Sequence, residues 1–287
     1  MPELPEVETV RRGLEPCLTG ARLTAVEARR PDLRFPLPAS FVRRLTGARI
    51  EALQRRGKYL LAPLDSGESL IVHLGMTGRF EVENGELNHR PGAFARAVAA
   101  DPRHGHVLFV TERGARITFF DPRRFGFMDL VRSPALTSYP AFAAMGPEPL
   151  GAAFDAGHLA RVFAGRRQAV KSLLLDQRVV AGLGNIYVCE ALHRARISPL
   201  APAGALSRPR LARLVAAVRE TLEAAIAAGG STLRDFADAA GALGYFQHAF
   251  RAYGREDAPC PTPGCPGAII RIVQTGRSTF YCRRCQR

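Results

Sequence analysis

Lysine is almost missing from this 287-residue chain: only Lys58 and Lys171 occur, and 38 of its 40 basic residues are arginine. Acidic residues are scarce as well, 26 in all, which leaves a formal net charge of +14. Such an imbalance attracts polyanions, which points to nucleic acid, an anionic membrane or an acidic partner. The chain has no run near the ~20 continuous apolar residues of a spanning helix. Its opening, Met-Pro-Glu-Leu-Pro-Glu-Val-Glu, is acidic where a secretion signal carries basic residues before an apolar run. Neither a membrane-spanning nor a secreted protein is expected. Cysteine is sparse until the end of the chain: Cys17 and Cys189 stand alone, while Cys260, Cys265, Cys282 and Cys285 crowd together. That distribution argues against a disulfide framework and for metal ligands in a reducing compartment.

What is present is an ordinary globular composition, 47% hydrophobic and 23% charged, in a chain long enough for two domains plus a small appendage. Leu4, Val7, Val10 and Leu14 recur at helical spacing, with Pro5 suited to the first helical position and Gly13 near the stop. Short strand signals follow at residues 22–29, 48–53, 59–64, 69–74, 79–82, 106–111, 116–120 and 127–131. Turns such as Asp65-Ser66-Gly67 and Asn84-Gly85 separate them, so an antiparallel sandwich or barrel is favoured over a parallel sheet. A proline-rich stretch, residues 133–149, precedes a helical second half, where Leu211, Leu214, Val215, Val218, Leu222 and Ile226 form one apolar stripe ending at Gly229-Gly230. Residues 251–287 have too few apolar side chains for a core without a staple, and residues 94–103 read as a solvated loop.

Cys260-x4-Cys265 and Cys282-x2-Cys285 have the spacing of a tetrahedral zinc site. Four thiolates leave no open coordination position, so one structural Zn2+ is expected, holding a two-stranded ribbon. At the other end, removal of Met1 would leave Pro2 with a free secondary amine, a nucleophile toward an aldehydic or glycosidic carbon. Glu3 and Glu6 beside it offer two carboxylates for acid/base work. Read as structure alone, the same acids complement a helix N-terminus.

These residues resemble the bacterial formamidopyrimidine-DNA glycosylases. The resemblance runs through Met1 to Leu14, Gln54-Arg55-Arg56-Gly57-Lys58-Tyr59-Leu60, His73-Leu74-Gly75-Met76-Thr77-Gly78, Asp121-Pro122-Arg123-Arg124-Phe125-Gly126, Gly182-Leu183-Gly184-Asn185-Ile186-Tyr187 and Thr279 to Cys285, and so spans the chain. Two features depart from the family: the first cysteine pair is separated by four residues where two are common, and Glu83 to His106 is longer than usual. No role is transferred to the histidines of that segment.

The resemblance implies an α+β fold: an N-terminal antiparallel β-sandwich with a catalytic helix (1–134), a linker (135–150), a helix-two-turn-helix domain (151–250) and a β-ribbon zinc finger (251–287). It implies a bifunctional glycosylase and abasic-site lyase for oxidised purines, monomeric, cytoplasmic in a bacterium, acting on duplex DNA in a cleft between the two halves. In that scheme Pro2 attacks C1′, Glu3 protonates the sugar ring oxygen, Glu6 orients the amine or a water, and Lys58 reaches a phosphate beside the lesion. Asn185 and Arg277 hold phosphate, Lys171 reaches another phosphate or is simply solvated, and Met76, Arg123 and Phe125 fill the gap left by the extruded nucleotide. Residues 231–253 are similar to the lesion-capping loop. An endonuclease VIII-like enzyme for oxidised pyrimidines shares Pro-Glu and zinc, and a non-catalytic zinc-ribbon protein would follow if Met1 were retained.

Overall fold

A computed structural model describes residues 2–84, 87–89, 101–231 and 246–287. The chain divides into two compact units, Met1–Ala143 with Ala228–Tyr245 and Ala144–Ala227 with Phe246–Arg287. The expected lesion-capping loop lies largely outside the described residues, as do Met1 and positions 90–100.

The first unit starts with helix α1 (Leu4–Leu18), followed by β1 (Leu23–Ala28), the short α2 (Phe41–Leu45), β2 (Gln54–Arg56), β3 (Tyr59–Pro63), β4 (Glu68–His73), β5 (Arg79–Asn84) and β6 (Leu87–His89). After the undescribed stretch come β7 (Gly105–Thr111), β8 (Arg116–Phe120), β9 (Phe127–Arg132) and α3 (Pro140–Ala143). The strands form two wholly antiparallel sheets, β1-β7-β8-β5-β6 and β2-β3-β4-β9. Leu60, Leu70 and Val72 of one sheet and Phe80, Val107 and Ile117 of the other belong to one apolar core, and Val7, Val10 and Leu14 of α1 are buried in it.

Two sequence expectations are corrected. α1 does not stop near Gly13; it runs on through Pro16 to Leu18. Burial of Leu14, Cys17 and Leu18 in the core outweighs the roughly 1 kcal/mol cost of a helical glycine. Residues 48–53 are not a strand, because Arg49 bridges to Arg22 while the adjacent Ile50 bridges to Leu64. One segment thus joins the edges of both sheets and belongs to neither ladder.

The second unit contains α4 (Ala156–Phe163), α5 (Val170–Leu174), α6 (Asn185–Arg194), α7 (Arg208–Ala227) and the hairpin β10 (Ile269–Gln274) and β11 (Arg277–Cys282). α7 buries the expected stripe, with Ala225 rather than Ile226 completing it. Between α5 and α6, the Gln177 amide donates to the carbonyls of Leu175 and Leu183 while its oxygen accepts from Gly182 N–H at 2.8 Å. One side chain therefore closes the two-turn connection. The ribbon is joined to α6 by an aromatic ladder, Tyr187–Phe246–Phe250–Tyr253–Phe280, with successive centroids 4.9–5.9 Å apart.

Beside that ladder the buried Glu190 carboxylate of α6 accepts three backbone N–H groups, from Arg251 at 2.8 Å, Ala252 at 2.9 Å and Tyr253 at 2.7 Å. Burial raises its pKa against the pull of those donors. Glu190→Ala strands three donors and is expected to cost about 3 kcal/mol or more. Calorimetry of the full chain would show the loss as a lowered transition for this unit, and an unchanged trace would remove Glu190 from its anchoring role.

Candidate active site and nucleic-acid interface

Pro2 is buried immediately before α1, and Glu3 is the N-cap residue of that helix. Glu3 N–H donates to Glu6 Oε2 at 2.9 Å, while Glu6 Oε1 accepts from both the backbone N–H of Ser231, at 2.8 Å, and its hydroxyl, at 3.0 Å. With Glu6 only 3% exposed, its carboxylate ties the start of the chain to a residue 225 positions away. Further along α1, Glu8 accepts from Arg11, Arg12 and Arg55. Burial works against the charge on Glu8, but these arginines outweigh it and hold its pKa below the usual value. Arg55 lies on β2, so this ion pair fastens α1 to the hairpin whose two-residue Gly57-Lys58 loop carries the first lysine. Gly57 has φ +55°, a value suited to glycine in so tight a loop.

Lys58, 9% exposed, lies near His73 at the end of β4. His73 pairs in register with Tyr59 on one side and Phe127 on the other, and its ring stacks on Phe127 at 5.5 Å and contacts Tyr59 at 4.8 Å. Phe127 is accordingly a half-buried partner of this histidine. His73 Nδ1 accepts from Gly75 N–H at 3.0 Å, which places the proton of the neutral ring on Nε2. Burial, reinforced by Lys58 and Arg34, depresses its pKa to about 4. Sequence reasoning passed over His73, although it opens a motif already singled out.

Met76 and Phe125 are exposed, 36% and 42%, and are not core side chains. With Arg123 they line one concavity of about 550 Å³ together with His73 and Arg34. The Arg123 guanidinium sits 4.6 Å over the Phe125 ring. A planar cation, an aromatic ring and a flexible thioether thus share one exposed surface. Such groups can occupy a gap between stacked bases.

In the second unit, Lys171 is 1% exposed, which excludes the solvated alternative. Its ammonium donates to Thr279 Oγ1 at 2.6 Å and to Ser278 O at 3.2 Å on β11. Asn185, the first residue of α6, donates from Nδ2 to the same Ser278 carbonyl at 2.9 Å. Arg277 precedes Ser278 and is exposed just after a turn in which Thr275 and Gly276 both have positive φ, the pattern of a type I′ hairpin. The side chains of Lys171 and Asn185 therefore converge on the strand that presents Arg277.

The four C-terminal cysteines have their Sγ atoms within 4.8 Å of one another, with Cys260–Cys285 and Cys265–Cys282 each at 3.6 Å. Metal–sulfur bonds of ~2.3 Å in a tetrahedron give a sulfur–sulfur edge of ~3.8 Å, so the set can hold a metal ion. The longer Cys260–Cys265 spacing is absorbed by a turn in which Cys265 N–H donates to Thr262 O and Gly264 has φ +73°. A Cβ at Gly267 would come within 2.8 Å of Cys282 Sγ. His193 Nε2 lies 3.5 Å from Cys260 Sγ, tying α6 to this cluster.

An antiparallel sandwich with the N-terminal helix in its core, a helix-two-turn-helix connection and a four-cysteine ribbon define a DNA repair glycosylase. A family model for the N-terminal domain of formamidopyrimidine-DNA glycosylase matches residues 1–128, and one for its H2TH domain matches residues 145–237. The formamidopyrimidine-DNA glycosylase of Caulobacter vibrioides strain NA1000 / CB15N is 64% identical over 286 residues, covering 100% of each chain. Two Lactococcus lactis structures are similar: Fpg with abasic-site DNA (TM-score 0.84, 32% identity, 99% of each chain) and an Fpg variant with Fapy-dG DNA (TM-score 0.85, 32% identity, 100% of each). The chain belongs to the formamidopyrimidine-DNA glycosylase family.

The depressed pKa of His73 has a measurable consequence. Between pH 6.5 and about 4 the unfolded chain protonates this histidine while the folded chain keeps it neutral, so stability falls as pH drops through that window. The contribution is at most about 3 kcal/mol. His73→Gln is expected to flatten the pH dependence of the denaturation midpoint there, and identical profiles for the two proteins would refute the assignment.

Proposed function

We propose that this chain excises oxidised purines, 8-oxoguanine and formamidopyrimidines, from duplex DNA and then cuts the strand at the abasic site. The observation that carries the chemistry is the start of α1, where Pro2 and Glu3 are buried side by side and Glu6 grips the Glu3 amide. Once Met1 is removed, Pro2 bears a secondary amine at the positive end of the helix dipole, which disfavours its protonated form. Its lone pair attacks C1′ of the damaged nucleotide, and the C1′–base bond breaks. Glu3 gives its proton to the ring oxygen as the sugar opens, leaving an iminium ion on C1′. Loss of a C2′ proton then expels the 3′ phosphate, and a second elimination expels the 5′ phosphate. Glu6 holds the N-terminal dipeptide in place.

Lys58 supplies a point cation for the phosphate next to the lesion, and Met76, Arg123 and Phe125 fill the vacated stack. Arg277 and the Asn185 end of α6 hold backbone phosphate. Lys171 serves that contact indirectly, by fixing Ser278 and Thr279. The four cysteines hold one structural zinc ion, whose chemistry is to crosslink the ribbon. A bacterial cytoplasmic location, in contact with the nucleoid, follows from the substrate. No helix among the described residues is long and apolar enough to cross a membrane.

Borohydride is expected to trap a covalent complex with damaged duplex, because it reduces an iminium ion and leaves a phosphate contact untouched. Pro2→Gly keeps an amine and part of the trapping. Glu3→Gln should slow base excision by about a hundredfold or more while retaining part of the cleavage at a preformed abasic site. Undiminished trapping by protein whose Met1 is demonstrably intact would sink the role of Pro2.

Metal removal is expected to abolish duplex binding while the unfolding transition of the sandwich stays in place, with Cys282→Ser behaving alike. Arg277→Ala should weaken binding regardless of sequence and reduce its salt slope by about 1. Wild-type affinity in a metal-free sample would show that the ribbon makes no DNA contact.

A further inference from the structure

The two loops that carry the exposed Met76, Arg123 and Phe125 are welded together beneath those side chains. A Cβ on Gly75 would collide with the Gly126 N and Phe125 C backbone atoms, so the two backbones touch there. Asp121, 0% exposed, lies directly below. One of its carboxylate oxygens accepts from the Thr77 hydroxyl at 2.5 Å and the other from Gly126 N–H at 2.7 Å. Thr77 Oγ1 in turn accepts from Arg123 N–H at 3.4 Å. The loop after β4 is thereby bonded to both ends of the loop that presents Arg123 and Phe125.

Asp121 is itself held from behind. Its N–H donates to His104 O at 3.0 Å. Its carbonyl, which can only accept, receives the Nε2 proton of the buried His106 at 3.0 Å. The Arg103-His104-Gly105-His106 segment, which had no assigned role, is the platform for this carboxylate.

We propose that Asp121 and Thr77 are positioning residues that lock Met76, Arg123 and Phe125 into one preformed wedge for insertion into the DNA stack. Unstacking a base step costs a few kcal/mol. Side chains on two independently moving loops would add the cost of ordering them at that moment. Bonds to an ionised carboxylate are stronger than neutral ones and suited to removing that motion in advance. This inference rests on the gap-filling reading above and adds the device that makes it effective.

The test uses the full-length, metal-loaded enzyme in single-turnover reactions. The substrates are a duplex with 8-oxoguanine opposite cytosine, carrying 2-aminopurine beside the lesion, and a duplex with a preformed abasic site. Thr77→Val, close to isosteric, is expected to slow the 2-aminopurine unstacking phase and lesion excision about tenfold, a moderate case of catalytic misplacement. Abasic-site cleavage stays within about twofold, Thr77→Ser restores both rates, and the effects of Thr77→Val and Met76→Ala fail to add. Asp121→Asn, provided its melting profile matches wild type, reproduces Thr77→Val. Wild-type unstacking by Thr77→Val, or strict additivity with Met76→Ala, overturns the lock while leaving the gap-filling reading intact. Met76→Ala and Arg123→Ala at wild-type unstacking rates would instead overturn the gap-filling reading, and the lock with it.

Discussion

The Glu6 carboxylate is the contact on which the start of the first unit depends. A chain end is ordinarily the most mobile part of a protein, yet here the second and third residues are buried and aligned. Glu6 achieves this from within α1 by accepting the Glu3 amide, and it is steadied in turn by both donors of Ser231. Glu8, two positions further along α1, extends the same logic through Arg55 to the Lys58 loop. The buried start of the chain and the loop that carries Lys58, on distant segments, are thus indexed to one helix.

The second unit solves a related problem with a buried ammonium. Lys171 meets a hydroxyl and a carbonyl on β11, partners that suit a compact point charge, whereas a guanidinium brings five donors in a rigid fork. It also gives the ribbon a polar anchor on the helical module in addition to the aromatic ladder.

Local patterns made most of the scaffold legible: short strand signals separated by turn residues marked the strands from Tyr59 onward, the stripe of α7 was plain, and cysteine spacing located the ribbon. The errors arose where tertiary contacts overrule local signals. Gly13 reads as a stop but is carried through by burial on either side, and residues 48–53 read as a strand but serve two sheets. Pro2, Glu3, Met76, Arg123 and Phe125 were singled out through short motifs. Glu6 was singled out with them, but the pairings that support these groups were not, because Glu6 and Ser231 are 225 residues apart and Thr77 and Asp121 are 44 apart. Nothing in either neighbourhood announces its partner.

The near absence of lysine has a chemical corollary. An opened abasic sugar is an aldehyde, and aldehydes condense with accessible amines. Guanidinium groups, protonated at every physiological pH, are poor partners for that reaction. A surface whose positive charge is almost wholly arginine can therefore grip the DNA backbone without offering its own product a place to become attached. Both lysine ammoniums are withdrawn from solvent, at 9% and 1% exposure. Under the proposed mechanism, the Pro2 amine then meets little competition from other amines of the chain.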